Sequence, residues 1–318
     1  MAIPSNGERC WRLVWAKNVE KVRKHNKEAA MGLYTFTLGI NEYSDTVRKL
    51  IVQFSLEIIT PLSLLLQPRN GINNAHINRL RESAFQNTNF KYEIKADITD
   101  TDLPKEVNWR SKGWVTPVGN QFQCGSCWAF TANSAVEGQH YNITGQLVPL
   151  SAQNLMDCSS AEGNQACEGG SMISSYEYII KNKGVDTQAS YPYTGKNGKC
   201  NFQKKNVGAT LTGYGTIHKG SELALQKAVA TIGPIAVAVD GATESFEMYK
   251  SGILNDPNCK QIVDHSLLVV GYGTLNGTDY WLMKNSWGTS WGMDGYIMMS
   301  RNKGNQCGVA NMGSFPIA

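Results

Sequence analysis

The residues in this sequence best suited to chemistry are Cys127, His265 and Asn285. Cys127 lies in Gln121-Phe122-Gln123-Cys124-Gly125-Ser126-Cys127-Trp128-Ala129-Phe130, where a Pro-free, Ala-rich run predicts a helix over 127–141. Peptide dipoles leave partial positive charge at a helix N-terminus, which favours thiolate over thiol, and the thiolate is the nucleophile. His265 stands at the entry to an apolar strand in Asp264-His265-Ser266-Leu267-Leu268, and Asn285 follows in Lys284-Asn285-Ser286-Trp287-Gly288. A thiol, an imidazole that takes and returns its proton, and an amide that orients the imidazole are the parts of nucleophilic acyl transfer.

Each part also has an ordinary reading. Cys124-x-x-Cys127 has the spacing of a redox dithiol, yet Trp follows the second cysteine instead of preceding the first. A lone histidine in an apolar strand is usually a hydrogen-bonded core residue, and an asparagine before Ser-Trp-Gly is usually a turn residue. The joint pattern decides against these readings. His265 falls in the ~130–150-residue window downstream of a Cys-Gly-Ser-Cys-Trp nucleophile, and Asn285 lies slightly beyond it.

The rest of the chain must supply a scaffold for those residues. At 318 residues, with 42% hydrophobic and 18% charged residues, it can bury a large core, and Gly 31 against Pro 10 indicates many tight turns. The net charge is +4, with most of the excess before residue 103 and no basic run after Leu103, which argues against a nucleic-acid binder. Seven of the eight cysteines follow residue 103, so pairing within that segment leaves at least one free thiol. Asn142-Ile143-Thr144 and Asn276-Gly277-Thr278 are glycosylation acceptors that fit an oxidising secretory route. The first ten residues lack the basic start and apolar core of a signal peptide. The stretch 50–66 is broken by Gln53, Glu57 and Pro61 and is short for a membrane span. The chemistry requires no cofactor and no metal.

Along the chain, 11–30 predicts an amphipathic helix ended by Gly32, and 34–38 a short strand. No period is legible over 46–89, which Pro61, Pro68 and Gly71 break further. A boundary is expected at 97–104, where the texture turns Gly- and Trp-rich. Beyond Ala209, the runs 235–239, 266–270 and 280–283 predict strands. A helical half followed by a strand-rich half predicts two packed lobes with a cleft between them.

From Leu103 to Ala318 the chain resembles the papain-like cysteine proteases of the cathepsin L type. Leu103-Pro104-Lys105-Glu106-Val107-Asn108-Trp109-Arg110, Cys167-Glu168-Gly169-Gly170, His265 within its strand and the run Lys284 to Gly292 carry the likeness, in the family's order. The resemblance implies an α+β, papain-like fold: a helical N-terminal lobe, a β-barrel-like C-terminal lobe with the active-site cleft between, and a partial helical prosegment in front. Residues 1–102 would be that inhibitory prosegment, with 46–89 atypical, and 103–318 the peptidase domain. It implies disulfides Cys124–Cys167, Cys158–Cys200 and Cys259–Cys307, leaving Cys127 free.

It also implies roles. Cys127 and His265 form a thiolate–imidazolium pair oriented by Asn285 and shielded by Trp287, and Gln121 with the Cys127 backbone N–H forms the oxyanion hole. Gly169 and Gly170 pair with substrate backbone, Asp264 borders the substrate beside His265, and Met172, Ala238, Val263 and Met312 line the main specificity pocket. That apolar lining implies Leu or Val before Phe at the second residue before the scissile bond. The implied partners are polypeptide substrates, the chain's own prosegment and cystatin-like inhibitors, for a monomer that is lysosomal or secreted. A catalytically silent binding relative would show Ser or Gly at the nucleophile, and a free inhibitory prosegment would need only the first hundred residues.

The sequence departs from the family in places. Gly39, Asn41, Tyr43 and Asp45 match the short prosegment motif with Tyr for Phe, and Trp15, Asn18, Val22 and Asn26 match the later half of the helix motif. Gly7 and Trp11 break its earlier half. Phe122 replaces a glycine, where positive φ would strain a bulky residue, and Ala152 replaces a glutamate.

Overall fold

The computed structural model describes residues 6–42, 44, 89–95 and 102–318. The stretch 46–88, read as atypical, lies outside the described residues, as do Tyr43 and Asp45.

Helix α1 (Asn6–Ala30) begins five residues before the expected start and ends before Gly32, which takes the left-handed conformation at φ +82. Asn26 on its last turn accepts the Leu38 N–H at 2.8 Å and donates to the Leu38 carbonyl at 2.9 Å, fixing strand β1 (Phe36–Leu38) against the helix. His25 stacks on Tyr34 at 4.2 Å and lies 4.6 Å from Phe36. Asn18 donates to the Ser44 carbonyl, and Val22 packs against the core of the later lobe. Strand β2 (Phe90–Ile94) follows, then β3 (Val107–Asn108).

The first lobe of the following segment is helical. Its helices are α2 (Cys127–Thr144), α3 (Ala152–Cys158) and α4 (Met172–Asn182), packed through buried Trp128, Leu155, Tyr176 and Ile179. Local chemistry sets their ends: Ser151 and Ser171 accept backbone N–H groups of their first turns, and Gly145 closes α2 at φ +69. Strands β4 (Val185–Asp186) and β5 (Val207–Ala209) form a small ribbon beside them.

The second lobe holds β6 (Gly213–Ile217), α5 (Glu222–Thr231), β7 (Ile235–Val239), α6 (Glu244–Glu247), β8 (Tyr249–Leu254), β9 (His265–Leu275), β10 (Thr278–Lys284), β11 (Tyr296–Ser300) and β12 (Ser314–Ile317). The sheet runs β1-β8-β11-β10-β9-β7-β12-β6-β2, with β3 beside β9. It is open, with an edge at β1 and another at β2, instead of closing into a barrel. Alternation along β9 places Leu268 and Val270 against the helical lobe and Leu267 and Val269 in the core of the second lobe. All of β7 is buried, as its unbroken apolar run requires. The sheet thus joins the two cores and carries β7 and β9 to their junction.

Past residue 103 the chain runs along the sheet. Tyr272 of β9 donates to the Pro104 carbonyl at 2.8 Å, and the Trp109 N–H reaches the Val270 carbonyl at 2.8 Å, so residues 104–109 are fastened to β9, as β1 and β2 are fastened to the two edges of the sheet. Among the described residues no helix is long and apolar enough to cross a membrane.

Candidate active site

Cys127 is the first residue of α2 and is fully buried. The loop before it is fastened on both sides. Cys124 is bonded to Cys167, and Gly125 donates to the Cys167 carbonyl at 2.9 Å. The Tyr193 hydroxyl donates its one proton to the Gln121 carbonyl at 2.9 Å and therefore accepts from Ser126 Oγ at 2.7 Å. Cys158–Cys200 and Cys259–Cys307 complete the implied disulfides, and Cys127 takes part in none of them. The redox-dithiol reading fails because the partner of Cys124 is Cys167.

His265 opens β9 opposite Val239 of β7 and is fully buried. Its Nε2 is 2.7 Å from Asn285 Oδ1. The same oxygen accepts the Ser286 backbone N–H at 2.8 Å, and a backbone amide can only donate, so the Asn285 amide has one orientation. His265 must then carry a proton on Nε2, which leaves Nδ1 as the atom that can accept one. Nδ1 is buried without a hydrogen-bond partner. Trp287 lies over the imidazole at 4.7 Å, and Phe246 meets it edge-on at 5.8 Å. Burial pushes the imidazole down to about 4, and the Asn285 bond opposes that shift.

Gln121 belongs to the helical lobe but is held by the other. Its N–H reaches the Ser286 carbonyl at 2.8 Å, its Oε1 accepts from Ser286 Oγ at 2.7 Å, and its Nε2 donates to the Cys124 carbonyl at 2.9 Å. Ser286 therefore orients both the amide beside the thiol loop and the amide behind the imidazole. No sequence signal singled it out.

Three of the four apolar residues expected at the specificity pocket come together, and the fourth, Met172, packs in the core of the helical lobe. Ala238 and Val263 form one buried cluster with Cys127, and Met312 packs against it. The Met172 sulfur accepts from Ser266 Oγ at 3.3 Å, and Ser266 stands opposite Ala238 on the sheet. Asp264 donates its N–H to the Val239 carbonyl and accepts the Gly241 N–H at 2.8 Å, fixing the turn into His265. Gly169 has φ +118, and a Cβ on Gly170 would fall 2.6 Å from the Trp128 indole.

Phe122 adopts φ +51, the conformation expected to strain it; the residue is 56% exposed and its ring stacks near-parallel to Tyr193 at 6.5 Å. Its N–H is held by Asn120 Oδ1 at 2.8 Å. Left-handed backbone costs a non-glycine residue roughly 1–2 kcal/mol, while glycine returns roughly 0.5–1 kcal/mol of that through the unfolded state. Phe122→Gly is therefore expected to change stability by no more than about 1.5 kcal/mol. Because Gln121 is fixed by Ser286 independently of Phe122, peptidase activity should move by less than about tenfold, or 1.4 kcal/mol. Parallel urea melts and kinetics check both.

Ala152 begins α3 and lines a cavity of about 290 Å³ together with Gly119, Phe130, Glu137, Lys284 and Asn285. Its lining includes a polar relay that the sequence reading missed: Lys284 Nζ donates to Thr116 Oγ1 at 2.9 Å, and Thr116 donates to Glu137 Oε2 at 2.6 Å.

A thiol and an oriented imidazole, set where a helical lobe meets a sheet, define a cysteine peptidase of the two-lobed kind, and comparison with known proteins agrees. Residues 103–317 match the papain family of cysteine proteases. Cathepsin L of Sarcophaga peregrina is 44% identical over 97% of this chain and 86% of its own length. Cathepsin S of Bos taurus is 45% identical over 98% and 87%. The structure of digestive procathepsin L 3 from Tenebrio molitor larval midgut superposes with a TM-score of 0.83 at 35% identity, covering 100% of this chain and 95% of that one. The chain belongs to the papain family of cysteine proteases, and within it is similar to cathepsins L and S.

Proposed function

We propose that residues 103–318 form a cysteine endopeptidase with a preference for an apolar residue two positions before the scissile bond, and that residues 1–102 are its inhibitory prosegment. The Cys127 thiolate attacks the peptide carbonyl, and His265 Nδ1 gives its proton to the departing amine. Water then cleaves the thioester, with His265 as base. Gln121 Nε2 and the Cys127 backbone N–H are the donors for the oxyanion. The observation that carries this reading is the Asn285 amide, which fixes the His265 proton on Nε2 and leaves Nδ1 to exchange with the thiol.

The low pKa of the buried imidazole bears on the resting state. An imidazolium alone is disfavoured there, so the charged pair forms as a unit, thiolate and imidazolium together, and titrates as one. Met172, Ala238, Val263 and Met312 present no charge to an entering side chain, which supports Leu or Val over Arg. The exposed acceptors Asn142 and Asn276, together with three disulfides, support a secreted or lysosomal protein.

An epoxide that alkylates activated thiols tests the reading at mildly acidic pH on enzyme processed from the full chain. One adduct on Cys127 by peptide mapping, absent in His265→Ala, is the expected result. A folded, processed sample without an adduct would overturn it.

A further inference from the structure

Strand β6 has the helical lobe's partner β12 on one side and β2 on the other, and β2 belongs to the residues before the boundary. The two run parallel, with Phe90 beside Tyr214, Tyr92 beside Gly215, Glu93 beside Thr216 and Ile94 beside Ile217. The Tyr214 N–H reaches the Asn89 carbonyl at 3.1 Å and the His218 N–H the Ile94 carbonyl at 2.8 Å. The side chains fit as well as the backbone. Phe90 meets Tyr214 edge-on at 6.0 Å, Tyr92 lies 5.5 Å from Phe315, and Glu93 is 3.4 Å from His218 Nδ1. Glycine at 215 is what admits this: a Cβ there would collide with the Phe315 ring and sit 2.9 Å from the Tyr92 carbonyl.

Cleavage at the boundary frees β2 from its covalent tie and lets it leave. The processed enzyme then presents β6 as an edge whose backbone groups were paired and whose surface is shaped for two rings and an acid. An unpaired edge is a template for another extended chain. We propose that this edge is a strand-addition site for polypeptide substrate, taking an extended segment with aromatic residues two apart followed by an acidic and an aliphatic residue, parallel to β6 as β2 lies. β2 itself is the template for this occupant, since it is the segment paired with that side of β6 among the described residues. The edge is also within reach of the cleft. From β7, which carries Ala238, to the site of β2 is three strand spacings, about 14 Å, and β12 begins two residues after Met312. A protein substrate can engage both places and a tripeptide cannot.

This inference rests on the peptidase reading, and its test separates the two. Enzyme processed from the full chain is given a short Leu-containing reporter, and the same cleavage site joined by a flexible linker to Asn-Phe-Lys-Tyr-Glu-Ile-Lys or to a scrambled version. The tagged substrate should be cleaved with kcat/KM about tenfold above the scrambled one. The free heptapeptide should abolish that advantage without inhibiting the short reporter. Tyr92→Pro/Glu93→Pro and Phe90→Ala/Tyr92→Ala versions of the peptide should lose the effect; these changes leave the enzyme untouched, so its folding is not in question. Equal rates for tagged and scrambled substrates, with the reporter cleaved normally, overturn the edge site and leave the peptidase standing. Competitive inhibition of the reporter places the segment in the cleft and also overturns it. A reporter that is not cleaved at all removes the peptidase reading and this proposal with it.

Discussion

Cys127→Ser is expected to lower kcat/KM by about 10⁴-fold or more while leaving the fold intact. Serine matches the thiol in size at a position with no exposed surface, so the cluster with Ala238, Val263 and Met312 survives. What changes is acidity. An alcohol gives up its proton far less readily than a thiol, and the base available to take it is an imidazole that burial has pushed down to about 4. The variant also isolates His265 from any thiolate, which yields a second readout. A folded-state pKa near 4 against an ordinary value of 6.5 means that the unfolded chain binds more protons between those limits. Stability held above pH 6.5 is then lost as pH falls, and the loss is complete near pH 4, amounting to about 3 kcal/mol. Urea unfolding of Cys127→Ser and of Cys127→Ser/His265→Ala across that window measures it. Only the first should show this component, and equal slopes would refute the assigned burial.

The sequence disclosed this site unevenly, and the reasons are physical. The constellation of Cys127, His265 and Asn285, proposed as nucleophile, base and orienter, was legible because a thiol at a helix start with distant His and Asn is a rare coincidence. The disulfides and the proposed pocket lining came from family likeness alone, since nothing in the local pattern of Val263 or Met312 distinguishes a pocket wall from core. Strand β9 was underestimated. It continues through Gly271, Tyr272 and Gly273 into a hairpin at Asn276-Gly277, with φ +50 and +76, so the same residues that make a glycosylation acceptor also make the turn. The docking of β1 and β2 at opposite edges of the sheet was not legible, because three to five residues carry no record of a partner more than a hundred positions away. Ser286 was hidden for a related reason: its role lies in two hydrogen bonds to Gln121 that no spacing announces.

The relay behind the site was invisible because Glu137 and Lys284 look like surface charges in sequence, yet both are buried. Burial pushes the Glu137 carboxyl up and the Lys284 ammonium down, and each charge opposes the other's shift. Thr116 carries the link, accepting from Lys284 and donating to Glu137, while the second Glu137 oxygen takes the Leu150 N–H at 2.8 Å. Glu137→Ala strands the ammonium, the Thr116 hydroxyl and the Leu150 N–H together, and should cost about 3–5 kcal/mol. Removing both charges should cost less than removing one, because desolvation of the pair cancels much of its attraction. Glu137→Leu/Lys284→Met is accordingly expected to be more stable than Glu137→Leu alone. A double-mutant cycle by urea unfolding would show a coupling of at least about 2 kcal/mol, and additive losses would mean that the charges do not sense one another. Lys284 adjoins Asn285, so the single variants should also lower kcat with little change in KM, as the amide behind His265 loses its fixed backbone. The double variant, refilling the same space, should recover part of kcat, which a purely stabilising role for the pair would not predict.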